Sequence, residues 1–262
     1  MAAGRADAAD RGFYVYGIVG RQKPALAGVM GVDATSPVFV LDDDGLGAIV
    51  SEVPLAEFGD EALRSNLEEV SWVAAKVRAH EDVLERAARE APVLPLRFGT
   101  IYRSLDRVRD FLAGDRSDLA STLEQLRGKR EWGVKSLVDR DRLGHAVHAS
   151  DPRAAELAEA TEAKPAGTAY LGRKRLERHL EARADQLAAR LAGEAHERLA
   201  AVAERAVLER TAGLKGAYLV DESRDDDFRR VLEDVGRECE PFGLRFELTG
   251  PWPPYSFVEA AG

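Results

Sequence analysis

From Thr168 to about Arg210 the chain is dominated by Ala, Leu, Arg and Glu, and Leu176, Leu180, Leu187, Leu191, Leu199 and Val202 mark one apolar stripe at helical spacing. Unbroken, such a helix is about 60 Å long at the usual rise per residue. Gly193 is the expected interruption. Strand-like segments lie on both sides of it, so the fold has to reconcile long helices with a sheet.

Before the helix, FYVYGIV (Phe13 to Val19) is β-branched and aromatic and ends at Gly20, which reads as a buried strand. Two short apolar runs, Pro37 to Leu41 and Leu46 to Val50, flank Asp42-Asp43-Asp44-Gly45, and Asp-Gly predicts a β-hairpin. Ser65 and Glu68 form an S-x-x-E capping box ahead of a helical stripe of Leu67, Val70, Val73, Val77, Leu84 and Ala87. VLPLRFGTIY (Val93 to Tyr102) reads as a strand confined to an edge or bulge by Pro95. Helices of about Leu105–Leu112 and Asp118–Leu126 close this half.

EWGVKSLVD (Glu131 to Asp139) starts a second unit after Gly128. The Ala-, Asp- and Glu-rich stretch from Arg140 to Gly167 reads as an excursion in which Asp151-Pro152 can open a helix. LKGAYLVD (Leu214 to Asp221) is a strand, and Ser223 with Asp226 forms a second capping box before Phe228, Val231, Leu232 and Val235. Gly243–Thr249 and Pro254–Val258 supply the last strands. The expected fold class is α+β in two domains, each a small, mainly antiparallel sheet packed with helices, the second ferredoxin-like. The expected boundaries are a disordered start over 1–11, a first domain over 12–127 and a second over 128–262. Leu96-Arg97-Phe98 and Leu244-Arg245-Phe246 hint at a duplicated plan.

A formal charge of -9 over 262 residues argues against a nucleic-acid partner, which wants a clustered basic surface. Gly172-Arg173-Lys174-Arg175 is basic but precedes Glu177, Glu181 and Asp185 on the same helix, a solvated and ion-paired face. With 45% hydrophobic residues the chain can build an ordinary core. The single cysteine, Cys239, excludes an intramolecular disulfide and fits a reducing compartment. The opening residues carry no apolar h-region and no later stretch is apolar enough to span a bilayer, so a cytoplasmic, non-membrane protein is expected.

Chemistry-bearing patterns are sparse. His145 and His148 share a spacing but lack further metal ligands. Asp42, Asp44, Gly47 and Ile49 fit positions 1, 3, 6 and 8 of a calcium loop, yet Leu46 and Val53 occupy positions that need oxygen ligands. Nucleotide and hydrolase motifs are absent. His80 lies on the apolar stripe between Val77 and Leu84 and reads as a hydrogen-bonded histidine of the core or of the domain interface. Cys239 reads as a buried thiol. The closing GPWPPYSF offers Trp252 and Tyr255 either as packing over a sheet end or as interface anchors.

Taken together, FYVYGIV, VLPLRFGTIY, EWGVKSLVD and GLRFELTGPWPPYSFV, with GTAYLGRKR before the long helix, resemble the gas vesicle protein F/L family in its own order from about Phe13 to Val258. The resemblance implies a two-domain accessory or minor shell-associated protein of gas vesicle assembly. It implies binding to the main gas vesicle shell protein and to other accessory vesicle proteins, with no cofactor and no catalytic residue, and it leaves self-association open. The motif residues that match are Pro95, Leu96, Arg97, Phe98 and Gly99; Trp132, Gly133 and Lys135; Tyr170 and Leu171; and Gly250, Pro251, Trp252, Pro253, Pro254 and Tyr255. The rival expectations are a small-ligand enzyme using His80 near Arg97 in an interdomain cleft, and a metabolite-sensing module in the same place.

Overall fold

The computed structural model describes residues 11–162, 166–209 and 213–258. The expected disordered start lies outside the described residues but for Arg11, which opens the first strand. The chain divides into two compact units, Met1–Lys129 with Trp252–Gly262, and Arg130–Pro251.

In the first unit β1 (Arg11–Val19) is central because FYVYGIV is apolar on both faces, and Tyr14 to Val19 are all buried. It pairs antiparallel with β3 (Leu46–Pro54) on one side and with the short β4 (Val93–Pro95) and β5 (Ile101–Tyr102) on the other. β2 (Phe39–Asp43) adds to β3 to give the order β2-β3-β1-β4, with β5 also on β1. The Asp-Gly hairpin forms with Asp44 at φ 44° and Gly45 at φ 87°, two positive values that match the right-handed strand twist. A bulge between Val15 and Gly17 leaves Tyr16 without a partner in β3, and its carbonyl instead accepts the Leu96 amide at 2.9 Å.

The helices of this unit are α1 (Leu55–Phe58), α2 (Asp60–Asn66), α3 (Val70–Ala88), α4 (Leu105–Gly114) and α5 (Arg116–Leu126). α3 packs on the sheet through His80, Val83, Leu84 and Ala87. The expected capping box fails, since Ser65 lies near the end of α2 and Glu69 is the residue before α3. Hydrogen bonds from Glu68 and Glu69 amides to Ser65 and Asn66 carbonyls make a turn there instead. VLPLRFGTIY is two strands, not one. Gly99 at φ 83° and the Thr100 amide bonding the Arg97 carbonyl at 3.2 Å put a turn between them.

The second unit opens with β6 (Lys129–Val138) and continues through α6 (Arg140–Ser150), α7 (Pro152–Glu162), α8 (Ala166–Ala200), β7 (Arg205–Leu208), β8 (Lys215–Asp221), α9 (Asp225–Cys239) and β9 (Leu244–Trp252). The strand order β7-β8-β6-β9, with helices after the first and third strands, is the ferredoxin-like arrangement. Trp132, Val134, Tyr218, Val220, Phe228, Leu232, Val235 and Leu244 build its core with Ala188, Leu191, Ala195 and Leu199 of α8.

Residues 140–162 are two helices, not a loop-like excursion. The Asp139 side chain caps α6, and Pro152 opens α7, as a proline pre-set for a first helical turn can. Gly193 does not break α8, which ends at Ala200, before the expected Arg210. A Cβ on Gly172 would collide with the Thr161 side chain, so that glycine is what lets α7 approach α8 closely. The second capping box also fails: Asp221 accepts the Ser223 amide at 2.9 Å, and a 3-10 turn over Glu222–Arg224 precedes α9. Pro254–Val258 is not a strand but a 3-10 turn at Tyr255–Phe257. The Leu-Arg-Phe repeat is not structural, because one copy lies in a turn and the other in β9. None of the described helices is long and apolar enough to cross a membrane.

Candidate functional site

The expected site residues separate into a buried set and an exposed set. The buried set surrounds Tyr14 and Tyr16, whose two-residue spacing on β1 sends both rings into the core beneath α3. His80 comes down from α3 and is 1% exposed. Its ring stacks on Tyr16 at 5.6 Å and meets Phe98 edge-on at 5.8 Å. The Tyr14 hydroxyl lies 3.0 Å from His80 Nδ1 and accepts the Gly99 amide at 2.9 Å. A phenol that already accepts a backbone N–H has its own proton to give, so Nδ1 is the acceptor and the proton of the neutral ring sits on Nε2. Nε2 is buried with no hydrogen-bond partner among the described residues.

This arrangement holds a neutral imidazole. Burial pushes the His80 pKa down to about 4, and burial pushes Tyr14 up and Tyr16 up to about 12. Tyr16 donates to or accepts from Ser51 at 2.8 Å and accepts the Val32 amide at 2.9 Å. Arg97 is exposed on the turn and, among the described residues, makes no hydrogen bond to His80. The pairing needed for an acid/base site is therefore not assembled there.

Other motif residues serve packing. Pro95 and Leu96 are buried at the end of β4. Trp132 is 2% exposed, with its indole N–H on Asp225 Oδ1 at 2.9 Å and the Arg229 guanidinium 4.4 Å over its ring. Gly133 leaves room for Thr249, whose Oγ1 would lie 2.5 Å from an added Cβ. Pro253, Pro254 and Phe257 are buried. The Tyr255 hydroxyl donates to Glu81 Oε1 at 3.0 Å, while burial raises the Glu81 pKa.

Lys135 is exposed, as are Tyr170 at 57%, Leu171 at 58% and Trp252 at 38%. Tyr170 and Leu171 stand side by side on α8, one turn before Lys174 and Arg175. Further apolar exposures were not anticipated as sites: Met30, Phe39 on β2, Leu67 and Val70 at the α2–α3 turn, and Val207 and Leu208 on β7. The described residues contain no group of three potential metal ligands. His145 bonds the Asp141 carbonyl at 2.7 Å, and Cys239 is buried with its thiol pKa raised by burial.

A family model described as gas vesicle synthesis protein GvpL/GvpF matches residues 12–259. The chain is 34% identical to gas vesicle protein L of Streptomyces sp. (strain CB03234), covering 96% of this chain and 94% of that one. It is 33% identical to gas vesicle protein F of the same strain, covering 94% and 99%. Its fold is similar to the crystal structure of the gas vesicle protein GvpF from Anabaena sp. PCC7120, with a TM-score of 0.74 at 21% identity over 95% of this chain and 98% of that one.

Proposed function

The chain belongs to the gas vesicle synthesis protein GvpL/GvpF family, and on that premise we propose that it is a non-catalytic accessory protein that works in the cytoplasm at the growing gas vesicle. It binds the main vesicle shell protein, and other accessory vesicle proteins join the same assembly. A role in gas vesicle assembly follows from the family itself. The choice of partners is our reading.

The observation that carries this reading is the exposed Tyr170–Leu171 pair on α8. An aromatic and an aliphatic side chain, each more than half exposed, contribute little to the fold where they stand, whereas Tyr is a favoured anchor at protein interfaces. Arg175 follows within a helical turn, beside Lys174, which pairs with Glu177 at 3.2 Å, so the patch suits an amphipathic segment that carries an acidic residue beside an apolar face. Trp252 adds a second anchor of the same kind. The rival reading of an enzyme or metabolite sensor built on His80 draws no support from a ring that is 1% exposed and held neutral.

The test is co-purification of the shell protein with the wild-type chain and with the Tyr170→Ser/Leu171→Ser variant, alongside vesicle counts in cells. The expected result is a clear loss of bound shell protein and fewer vesicles with an unchanged melting temperature. Undiminished binding by the double variant would sink the α8 surface. Normal vesicles after deletion of the gene would sink the assembly role altogether.

A further inference from the structure

β7 is a short strand at the edge of its sheet. It lies at the end of the order β7-β8-β6-β9, all four of its residues are exposed, and Val207 and Leu208 are 41% and 47% exposed. Natural sheets blunt such edges with short strands, charged side chains, proline or bulges; β7 is short and opens on Arg205, but Ala206-Val207-Leu208 carries no charge, no proline and no register shift against β8.

The backbone phase of the free edge follows from the paired one. Val207 stands across from Ala217, and the Glu209 amide bonds the Lys215 carbonyl at 2.9 Å. In an antiparallel ladder the bonding direction alternates, so Val207 and Glu209 turn their amides and carbonyls toward β8, while at the start of the strand the Glu204 amide bonds the Leu219 carbonyl at 2.8 Å and breaks the alternation at Arg205. The Val207 carbonyl accordingly lies 3.2 Å from the position of a Cβ on Gly216. Ala206 and Leu208 therefore aim their N–H and C=O groups away from the sheet.

We infer that this edge pairs with the same edge of a second copy of the chain, antiparallel about a twofold axis through Val207. Only registers that set outward-facing residues against each other make hydrogen bonds. The register centred on Val207 does so, placing Ala206 opposite Leu208 of the second copy, and the reverse. The same register places Arg205 opposite Glu209 of the second copy on both sides of the axis, and Val207 opposite itself. Moving the axis to Ala206 sets Arg205 against Val207 of the second copy. Moving it to Leu208 sets Val207 against Glu209 of the second copy. Backbone phase, charge and apolar contact thus coincide in one register, with opposite charges in cross-strand pairs. The joint sheet has eight strands and no exposed edge at its centre. Glu209 also pairs with Lys215 at 2.5 Å within its own chain, so the cross-copy contact forms a small ionic cluster.

Sedimentation equilibrium over a concentration series reads the pairing directly, the monomer mass being 28.6 kDa. The wild type is expected to be in monomer–dimer exchange. Val207→Asp, which brings two carboxylates together on the axis, is expected to weaken the dimer by more than about tenfold. Ala206→Pro removes an outward N–H that β8 does not use, and is expected to weaken the dimer while leaving the melting temperature in place. Arg205→Glu should weaken it, and adding Glu209→Arg should restore it. Val207→Cys places two thiols across a non-hydrogen-bonded pair whose Cα separation of about 4.5 Å suits a disulfide. A covalent dimer is expected on mild oxidation, and far more slowly for Val70→Cys. A chain that stays monomeric at every concentration overturns the inference. So does a dimer indifferent to Ala206→Pro and to the charge exchange, or a Val207→Cys chain that cross-links only to another vesicle protein.

Discussion

The Tyr14 hydroxyl donates to Nδ1 of His80 across 3.0 Å and 66 positions of sequence, tying the central strand of the first unit to its longest helix. That bond exists only while the imidazole is neutral, because a protonated ring has no acceptor nitrogen. Burial holds the folded-state pKa at about 4, against 6.5 for an ordinary histidine. A depressed folded pKa gives stability that is fully present above the unfolded value and is lost as pH falls toward the folded one. The first unit is therefore expected to lose about 3 kcal/mol between pH 6.5 and pH 4 from this group alone, at about 1.4 kcal/mol per pH unit. Hydrogen exchange of the Gly99 amide, read against pH, follows that unit selectively. His80→Phe should flatten the acid limb, and an unchanged slope in that variant would refute the assignment.

Removing only the Tyr14 oxygen is a sharper probe of the same junction. The Gly99 amide and His80 Nδ1 both lose their partner in Tyr14→Phe, with no change in ring volume. Buried groups left unsatisfied cost about 1–3 kcal/mol. The effect should appear as a lower urea midpoint for the first unit and faster exchange in the Arg97–Thr100 turn. Since the turn presents Phe98 to the aromatic cluster, loss of Phe98 order should accompany it.

How much of this was legible in the sequence varied with the range of the interaction. FYVYGIV as a buried strand and Asp44-Gly45 as a hairpin depend on neighbouring residues, and both formed. His80 was visible on the apolar stripe of α3, but its partner on β1 was not, since no local pattern pairs positions so far apart. Tyr14 and Tyr16 could have been found from their shared strand face. β7 was hidden for another reason: Arg, Ala and Leu are good helix formers, and only pairing with β8 makes Arg205–Leu208 a strand. Pro254–Val258 was expected as a last strand, whereas Pro253 and Pro254 withhold the amides that one would need. The match of Tyr170 and Leu171 to a family motif did not say that both side chains would be exposed. Their place on the outer side of α8, beside the Gly172–Thr161 contact, settles it.

Gly31 is fixed by the other half of the tyrosine pair. A Cβ there would stand 2.7 Å from the Tyr16 hydroxyl and 2.7 Å from Ser51 Cβ, with no flexible chain end to yield. Gly31→Ala should cost about 1–3 kcal/mol, as overpacking of a tight core does. Ser51→Gly removes most of the obstruction, so the double variant should recover part of the loss although Ser51→Gly alone destabilises. Additive losses in thermal melts would show that the two positions do not share a space.

In the second unit the comparable junction is Asp225. One carboxylate oxygen accepts the Trp132 indole N–H at 2.9 Å and the other faces Arg130 Nη1 at 3.1 Å, while the residue itself opens α9. Its negative charge there also suits the helix N-terminus. Asp225→Asn keeps an acceptor for the indole and loses the charge, so the expected cost is about 1 kcal/mol or less, because exposed ion pairs contribute little. Asp225→Ala strands a donor on a tryptophan that is 2% exposed, and the cost should rise to about 2–3 kcal/mol. Trp132→Phe removes that donor, so adding Asp225→Ala to it should cost clearly less than in the wild type. Urea unfolding followed by exchange of the β6 amides measures all four corners of the cycle. Equal losses for Asp225→Asn and Asp225→Ala would mean that charge, and not the indole hydrogen bond, is what ties α9 to β6.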